Sequence, residues 1–215
     1  MSTISTDVYQ SQAAVNVLSY RAKIVREVRI EIVRKSIHLL IAFTPTLTWL
    51  FGNYITFGLL AAGVLCYTAA EFARSNGFRV PVISRLTELA SRDRDRDHFV
   101  LGPVTLGLGA MLAIMLYPNP AAALAVYALA FGDGFASLVG KAFGRIRLPF
   151  TGGKSLEGSL ACFFAVLVPS YIVLGDLSQA IAISLFATFI EAMPTGDFDN
   201  IVLPALVGSF VMVLI

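Results

Sequence analysis

The chain has 215 residues, of which 57% are hydrophobic and 14% are charged, and its formal net charge is +2. A soluble domain usually carries about 25% charged residues, so the composition excludes an ordinary water-soluble fold. The small net charge argues against a nucleic-acid partner. Apolar runs near the roughly 20 residues that cross a hydrocarbon core recur along the chain, which predicts an all-α, polytopic transmembrane helical bundle.

The polar N-terminal segment precedes about seven predicted spans. Residues 8–30 mix apolar and basic side chains, which is typical of an amphipathic helix at the headgroup surface or, alternatively, of a solvated basic arm. Pro45 should bend the first span, because its ring removes a backbone donor. The predicted domains are an interfacial segment, 1–30, and one transmembrane catalytic domain, 31–215. The predicted spans are 36–51, 54–72, 100–117, 120–140, 156–174, 178–194 and 200–215.

The basic residues follow the predicted spans in a regular way. All 16 lysines and arginines fall before the first span or in the loops after the second and fourth spans, and the loops on the other side contain none. The positive-inside rule then places the N-terminus and the charged rim in the cytoplasm. We therefore expect an integral, multi-pass membrane protein with a cytoplasmic active site.

Asp133 lies within an apolar run, where a carboxylate is costly and needs a partner. Helical spacing places Ser137 and Lys141 on the same face. Gly132 and Gly140 belong to a ridge of small residues that allows close helix packing. Asp133 is therefore a candidate for metal binding or catalysis. The alternative is that it only pairs with a buried cation to fix the bundle.

A glycine-rich turn, residues 151–158, opens directly into the fifth predicted span. Its backbone amides and the helix N-terminus suit a phosphate, with Lys154 as counter-charge. The spacing is not that of a P-loop. The alternative is a capping turn, with Ser155 as the cap and Glu157 near the positive helix end.

Acidic residues follow the sixth predicted span. Glu191, Asp197 and Asp199 could hold Mg²⁺, which prefers oxygen ligands and usually binds one or two carboxylates together with substrate phosphates. Asp199 or Asn200 could equally cap the last helix.

His38 and Glu71 complete the same rim. Glu71 could pair with Arg74, three residues further along the helix. A histidine at a membrane interface is often only a satisfied polar residue, so a catalytic and a structural role both stay open for His38.

This ordered set of motifs resembles the CTP-dependent lipid kinases, the family that includes dolichol kinase, phytol kinase and a CTP-dependent diacylglycerol kinase. That family is in turn distantly similar to the phosphatidate cytidylyltransferases. The resemblance covers residues 31 to 204. It rests on Arg34-Lys-Ser-Ile-His38, Glu71-Phe-Ala-Arg74, Gly132-Asp-Gly-Phe-Ala-Ser-Leu-Val-Gly140, Gly153-Lys-Ser-Leu-Glu-Gly158, Glu191, Asp197-x-Asp-Asn200 and Pro204.

The resemblance implies transfer of the terminal phosphate of CTP, with Mg²⁺, to a lipid alcohol such as phytol, a polyprenol or diacylglycerol. The implied partners are CTP, the alcohol and the bilayer, with a homodimer as one option. The implied reaction centre is His38, Glu71, Asp133 and Asp197. The implied metal ligands are Asp133, Glu191 and Asp197. The implied nucleotide-binding residues are Ser137, Lys141, Gly152, Gly153, Lys154, Ser155, Glu157, Gly158 and Asn200.

Two rival functions remain at this stage. A cytidylyltransferase would use the same CTP and Mg²⁺ but attack the α-phosphate with a lipid phosphate. A transporter would use Asp133 and Glu191 as an ion path, but it should carry polar groups at both mouths, and the outer side offers only Asp176. A CDP-alcohol phosphatidyltransferase is disfavoured, because Ser137 stands where its motif has arginine.

Overall fold

The computed structural model describes residues 25–78, 80–90 and 99–215. For a few of these it describes the backbone alone: Val82, Ser84, Leu86, Glu88, Ala90 and Asp197. Within this part the regular secondary structure is helical, apart from one isolated β-bridge between Arg147 and Ser155. The all-α prediction is therefore confirmed. Residues 8–24 of the predicted interfacial helix lie outside the described residues.

The helices follow one another with short connections. Helix α1 covers residues 25–40, and a 3₁₀ turn (Ile41–Phe43) joins it to α2. The segment from Ala121 to Phe143 is one continuous helix, made of α6, a π-helical segment and α7. The bounds are α2 (Thr44–Phe51), α3 (Asn53–Ser75), α4 (Pro81–Ala90), α5 (Gly102–Leu116), α6 (Ala121–Tyr127), the π segment (Ala128–Asp133), α7 (Gly134–Phe143), α8 (Leu156–Leu174), α9 (Leu177–Ala192), a 3₁₀ turn (Gly196–Phe198) and α10 (Asp199–Leu214).

Three of the described helices are long and apolar enough to cross a membrane: Asn53–Ser75, Ala121–Phe143 and Leu156–Leu174. Helices α5, α9 and α10 are apolar but shorter. Each of the seven predicted spans falls on a helical segment, and the number that cross the bilayer stays a prediction.

The helix that contains the first predicted span is already present before residue 36, because helix covers residues 25–35. The α-helix gives way to a 3₁₀ turn directly before Pro45, which lies in the first turn of α2. Proline has no amide hydrogen to donate to the carbonyl of Ile41, and the backbone N–H of Thr44 donates to that carbonyl instead. The change in helix type therefore occurs where Pro45 requires it.

Small residues bring α7 and α8 into close contact, as the predicted ridge implies. A Cβ added at Gly158 would lie 2.7 Å from the carbonyl oxygen of Ala136, and one added at Gly140 would lie 3.1 Å from the Ser155 hydroxyl. One face of α8 can therefore approach α7 at backbone distance. This contact fixes the start of α8 beside the residues that follow Asp133.

The turn between α8 and α9 lies at the end of the bundle opposite these residues. Gly175 there has a φ of 70°, which favours glycine, and Asp176 caps α9. The Asp176 carboxylate accepts hydrogen bonds from the hydroxyl and amide of Ser178, at 2.6 and 2.8 Å, and from the amide of Gln179, at 3.0 Å. These hydrogen bonds, led by that of the Ser178 hydroxyl, hold the pKa of Asp176 below its usual value.

Candidate active site

One large cavity lies at a single end of the bundle. It is formed around the N-terminal ends of α5, α8 and α10 and the C-terminal end of α9, and its volume is about 710 Å³. Small-molecule sites typically measure about 300–1,000 Å³. Because three helices begin at this cavity, the positive ends of three helix dipoles face it, which favours an anion.

The charged side chains of the described lining are mainly basic. Five are cationic, namely Arg34, Lys35, Lys141, Arg147 and Lys154. Three are carboxylates, namely Asp133, Glu191 and Asp199. The excess of positive charge adds to the helix dipoles and suits a polyanion such as a nucleoside triphosphate.

Asp133 ends the π-helical segment, and its side chain is buried. Such π segments inside α-helices occur frequently at functional sites. One carboxylate oxygen accepts a hydrogen bond from the Lys35 ammonium, and the other accepts one from the Ser137 hydroxyl at 3.3 Å. His38 Nδ1 lies 3.2 Å from the carboxylate without the alignment of a hydrogen bond. The partner that Asp133 requires is therefore Lys35.

Helix α1 brings three of its polar residues inward. Glu31, Lys35 and His38 are spaced four and three residues apart and are buried, with Lys35 only 1% exposed. Ile32 and Leu40 are exposed on the outer side. The charged residues Arg26, Glu27 and Arg29, earlier in α1, are exposed, and the interfacial helix predicted over 8–30 stays a prediction. Lys35 was missed by sequence reasoning, although the inward spacing is a signal that could have found it.

Glu31 is a second residue that sequence reasoning missed. Its side chain is fully buried and accepts hydrogen bonds from Arg34, at 2.6 Å, and from Lys141, at 2.5 Å. The second bond joins α1 to α7 across 110 residues of sequence. Because both donors line the cavity, Glu31 holds two of its cations in place.

The glycine-rich turn folds back on itself beside the cavity. The amide of Leu148 donates to the carbonyl of Lys154, and the amide of Leu156 donates to that of Ile146, both at 2.9 Å. Gly152 and Gly153 have φ angles of 69° and 95°, which other residues rarely adopt. The turn needs both glycines to present Lys154 to the cavity.

Ser155 caps α8, with its hydroxyl accepting from the amide of Gly158 at 3.2 Å, so the capping alternative is confirmed for this residue. The Glu157 carboxylate accepts from the amides of Arg145 and Ile146, at 2.9 and 3.3 Å. It is not part of the cavity lining. The arrangement favours Glu157 as a residue that holds the turn in shape, and its predicted nucleotide contact stays a prediction.

Lys154 joins the turn to the end of α9. Its ammonium donates to the carbonyl of Glu191 and lies 3.0 Å from that residue's carboxylate and 3.7 Å from that of Asp199. Asp199 is the first residue of α10, whose cap position is Phe198, so Asp199 and Asn200 do not form the side-chain cap considered above.

Asn200 and Glu71 fix the start of α5. The Asn200 amide donates to the Thr105 hydroxyl at 2.9 Å and to the Gly102 carbonyl at 3.3 Å. Glu71 is fully buried, accepts two hydrogen bonds from Arg74, as predicted, and accepts one from the amide of Val100 at 2.9 Å. Asn200 lines the cavity, whereas Glu71 does not. Glu71 therefore holds the wall at Val100, and its predicted part in the reaction centre stays a prediction.

Most of the predicted site residues meet at this cavity. Those that line it are His38, Asp133, Ser137, Lys141, Gly152, Gly153, Lys154, Ser155, Gly158, Glu191 and Asn200. The side chain of Asp197 lies outside the described residues. In the described part of the chain, no three His, Cys, Asp or Glu side chains form a ready-made metal cluster.

Comparison with known proteins finds relatives over most of the chain. A probable phytol kinase, chloroplastic, from Triticum aestivum is 26% identical over 190 residues, which cover 80% of this chain and 63% of the relative. Phytol kinase 1, chloroplastic, from Arabidopsis thaliana is 25% identical over 190 residues, 80% of this chain and 62% of the relative. Farnesol kinase, chloroplastic, from Arabidopsis thaliana is 27% identical over 187 residues, 79% of this chain and 61% of the relative.

The chain therefore spans less than two thirds of the length of these relatives. No protein-family model matches the chain, and no solved structure matches it significantly. The resemblance inferred from the motifs is confirmed for phytol kinases, and farnesol kinase is a further homologue.

Proposed function

We propose that this chain is a membrane kinase that transfers the terminal phosphate of CTP to an isoprenoid alcohol. The observation that carries the proposal is the buried Asp133 within a cavity whose cations outnumber its acids, at one end of an apolar bundle. The similarity to proteins named phytol kinase and farnesol kinase supports an isoprenoid alcohol as acceptor. CTP as donor rests on the family resemblance.

The phosphates of the nucleotide bind to the glycine-rich turn. Lys154 and Arg147 supply positive charge there, and the start of α8 adds the positive end of its dipole. Arg147 already donates to the carbonyl of Gly153 at 2.7 Å, which holds it against the turn. Phosphoryl transfer depends mainly on positioning and charge neutralisation, and these groups provide both.

The carboxylates of the cavity supply the oxygen ligands that a magnesium ion needs. Mg²⁺ prefers oxygen ligands and is usually held by one or two carboxylates together with substrate phosphates. Asp133 and Glu191 would hold it, with Asp197 as the third predicted ligand. When bound, the ion neutralises charge on the phosphates. Asp133 is paired with Lys35 and Glu191 with Lys154, and both lysines line the same cavity.

The alcohol reacts beside His38. The oxygen of the alcohol forms a bond to the terminal phosphorus of CTP. At the same time the bond from that phosphorus to the oxygen of the β-phosphate breaks, so CDP leaves. The alcohol proton passes to His38, whose Nδ1 lies 3.2 Å from the Asp133 carboxylate and whose other ring nitrogen, Nε2, receives it. Asp133 therefore lies beside the base and would also be a ligand of the metal.

The reaction takes place at the cytoplasmic membrane face. This part of the proposal rests on the one-sided distribution of lysine and arginine along the sequence. A lipid alcohol dissolved in that leaflet can then meet a nucleotide that enters from water.

The test is phosphate transfer by the purified full chain in lipid vesicles. CTP labelled at the γ position should transfer label to phytol or farnesol, and ATP, GTP and UTP should be poorer donors. Absence of transfer to every alcohol would overturn the proposal. Label passing from α-labelled CTP to added phosphatidate would replace it with cytidylyl transfer.

A further inference from the structure

The cavity has an apolar wall that the nucleotide does not need. It comes from the end of α1 and the start of α5, whereas most polar lining residues come from α7 to α10 and the glycine-rich turn. The wall includes Ile37, Leu40, Leu101, Pro103 and Leu106. On the proposed function, this wall is where the carbon chain of the alcohol lies.

The apolar wall reaches the outer surface between α1 and α5. Leu40 and Leu101 line the cavity and are nevertheless 64% and 44% exposed, so they lie at its rim. Phe43, three residues after Leu40, is also exposed, so a second apolar side chain lies next to Leu40 on the outer surface. The rim therefore opens onto the region that lipid tails occupy in a membrane-embedded bundle.

Leu106 lies at the inner end of this wall. It is only 4% exposed, lines the cavity, and follows Pro103 by three residues on the same helix face. Leu106, Asp133 and His38 are all buried and line the same cavity, whereas Leu40 and Leu101 lie at its rim. On the proposed function, the carbons next to the hydroxyl are therefore the ones that Leu106 can contact.

The size of the cavity limits how much of the alcohol it encloses. A volume of about 710 Å³ lies within the range that one drug-sized ligand fills, and the nucleotide already is such a ligand. A long isoprenoid cannot also be enclosed. Its tail must leave through the rim into the bilayer.

We infer that the enzyme selects the alcohol at its hydroxyl end, through Leu106, and not by the length of its tail. This inference rests on the proposed function and deepens it. Lipid tails are as apolar as leucine, so tail carbons gain no binding energy by exchanging lipid for the protein rim. Only the first carbons, enclosed against Leu106, can raise or lower the rate for one alcohol relative to another.

The first arm of the test varies the tail at constant mole fraction in vesicles. Geraniol, farnesol and geranylgeraniol share the same methyl-branched allylic end and differ in length. Their kcat/KM values should agree within about fivefold, whereas linear allylic alcohols without the branch should differ from them by about tenfold or more. A steady dependence on tail length would overturn the inference.

The second arm changes the wall itself. Leu106→Phe should lower kcat/KM for the branched alcohols at least about tenfold, and Leu106→Ala should raise the relative rate of alcohols with bulkier hydroxyl ends. The matched control is Leu108→Phe, because Leu108 lies on the same helix but is 41% exposed and does not line the cavity. A thermal shift on adding CTP checks that each variant is folded and binds nucleotide.

The outcomes separate the two claims. Equal alcohol preference in the Leu106 and Leu108 variants would overturn the role of Leu106 while the kinase activity stands. Failure of the unaltered chain to phosphorylate any alcohol would overturn the proposed function and this inference together.

Discussion

Lys35 on α1 donates a hydrogen bond to the carboxylate of Asp133, 98 residues further along the chain, and both side chains are buried. The pair joins α1 to the π segment and lies on the wall of the cavity. Removing one member of a buried ion pair leaves an uncompensated charge, which typically costs about 3–5 kcal/mol. The pair is therefore both a structural link and part of the candidate reaction centre.

A first prediction separates these two roles. Lys35→Met should lower the melting temperature markedly, because it leaves Asp133 buried without its partner. The double variant Lys35→Met with Asp133→Asn should recover most of the lost stability while staying inactive. Thermal unfolding in detergent and phosphate transfer in vesicles measure the two effects. Recovery of activity in the double variant would show that the pair is only structural.

A second prediction concerns the link from α1 to α7. Glu31→Gln should raise KM for the nucleotide more than it lowers kcat, because Glu31 positions Arg34 and Lys141 without lining the cavity itself. Lys141→Met should also raise KM, and the rise in the double variant should be smaller than the sum of the two, since both substitutions break the contact between Glu31 and Lys141. Steady-state kinetics with CTP as the varied substrate tests this. Fully additive effects would contradict the proposed coupling.

A third prediction tests the close approach of α7 and α8. Gly158→Ala should destabilise the protein by about 1–3 kcal/mol and reduce activity, because the added methyl would lie 2.7 Å from the Ala136 carbonyl oxygen. The matched control is Gly63→Ala on α3, where a Cβ meets nothing within 4 Å. That variant should be neutral or slightly stabilising. Equal melting temperatures for the two variants would argue against the packing described.

A fourth prediction concerns pH and the opposite end of the bundle. Asp176 accepts hydrogen bonds at the start of α9 that lower its pKa, so its contribution to stability is present above the unfolded value of about 3.9. The contribution is lost as the pH falls through the lower, folded value. Asp176→Ala should therefore lower the melting temperature at neutral pH but have less effect in acid. A deficit that persists unchanged in acid would contradict this assignment.

The helices could be predicted well because the apolar runs are long. The predicted span 156–174 coincides with α8, and the predicted span 54–72 differs from α3 by one residue at its start and three at its end. Hydropathy did not indicate the full extent of α1, which runs through residue 30 and carries the buried polar residues Glu31 and Lys35. A hydropathy profile assigns such residues to water because it contains no information about partners distant in sequence.

The candidate site could be predicted as a set of residues but not as a set of contacts. Asp133 and Lys154 could be found because a buried acid and a basic residue in a glycine-rich turn are each unusual in a membrane chain. Their partners could not be assigned, because helix spacing relates residues within one helix only. In the sequence, Glu71 and Glu157 are acidic residues within predicted spans, as Asp133 is. In the structure, each of the two glutamates accepts backbone hydrogen bonds beside the cavity. Only the folded arrangement distinguishes the two kinds of acid.

The most direct test of the proposed kinase is transfer of γ-labelled phosphate from CTP to farnesol in vesicles, measured for the unaltered chain, Asp133→Asn and Asp176→Asn. Both substitutions remove one carboxylate charge, at opposite ends of the bundle. We predict that the unaltered chain and the Asp176 variant transfer label and that the Asp133 variant loses at least about a hundredfold in rate. Near-normal transfer by folded Asp133→Asn would contradict the assignment of the cavity as the active site.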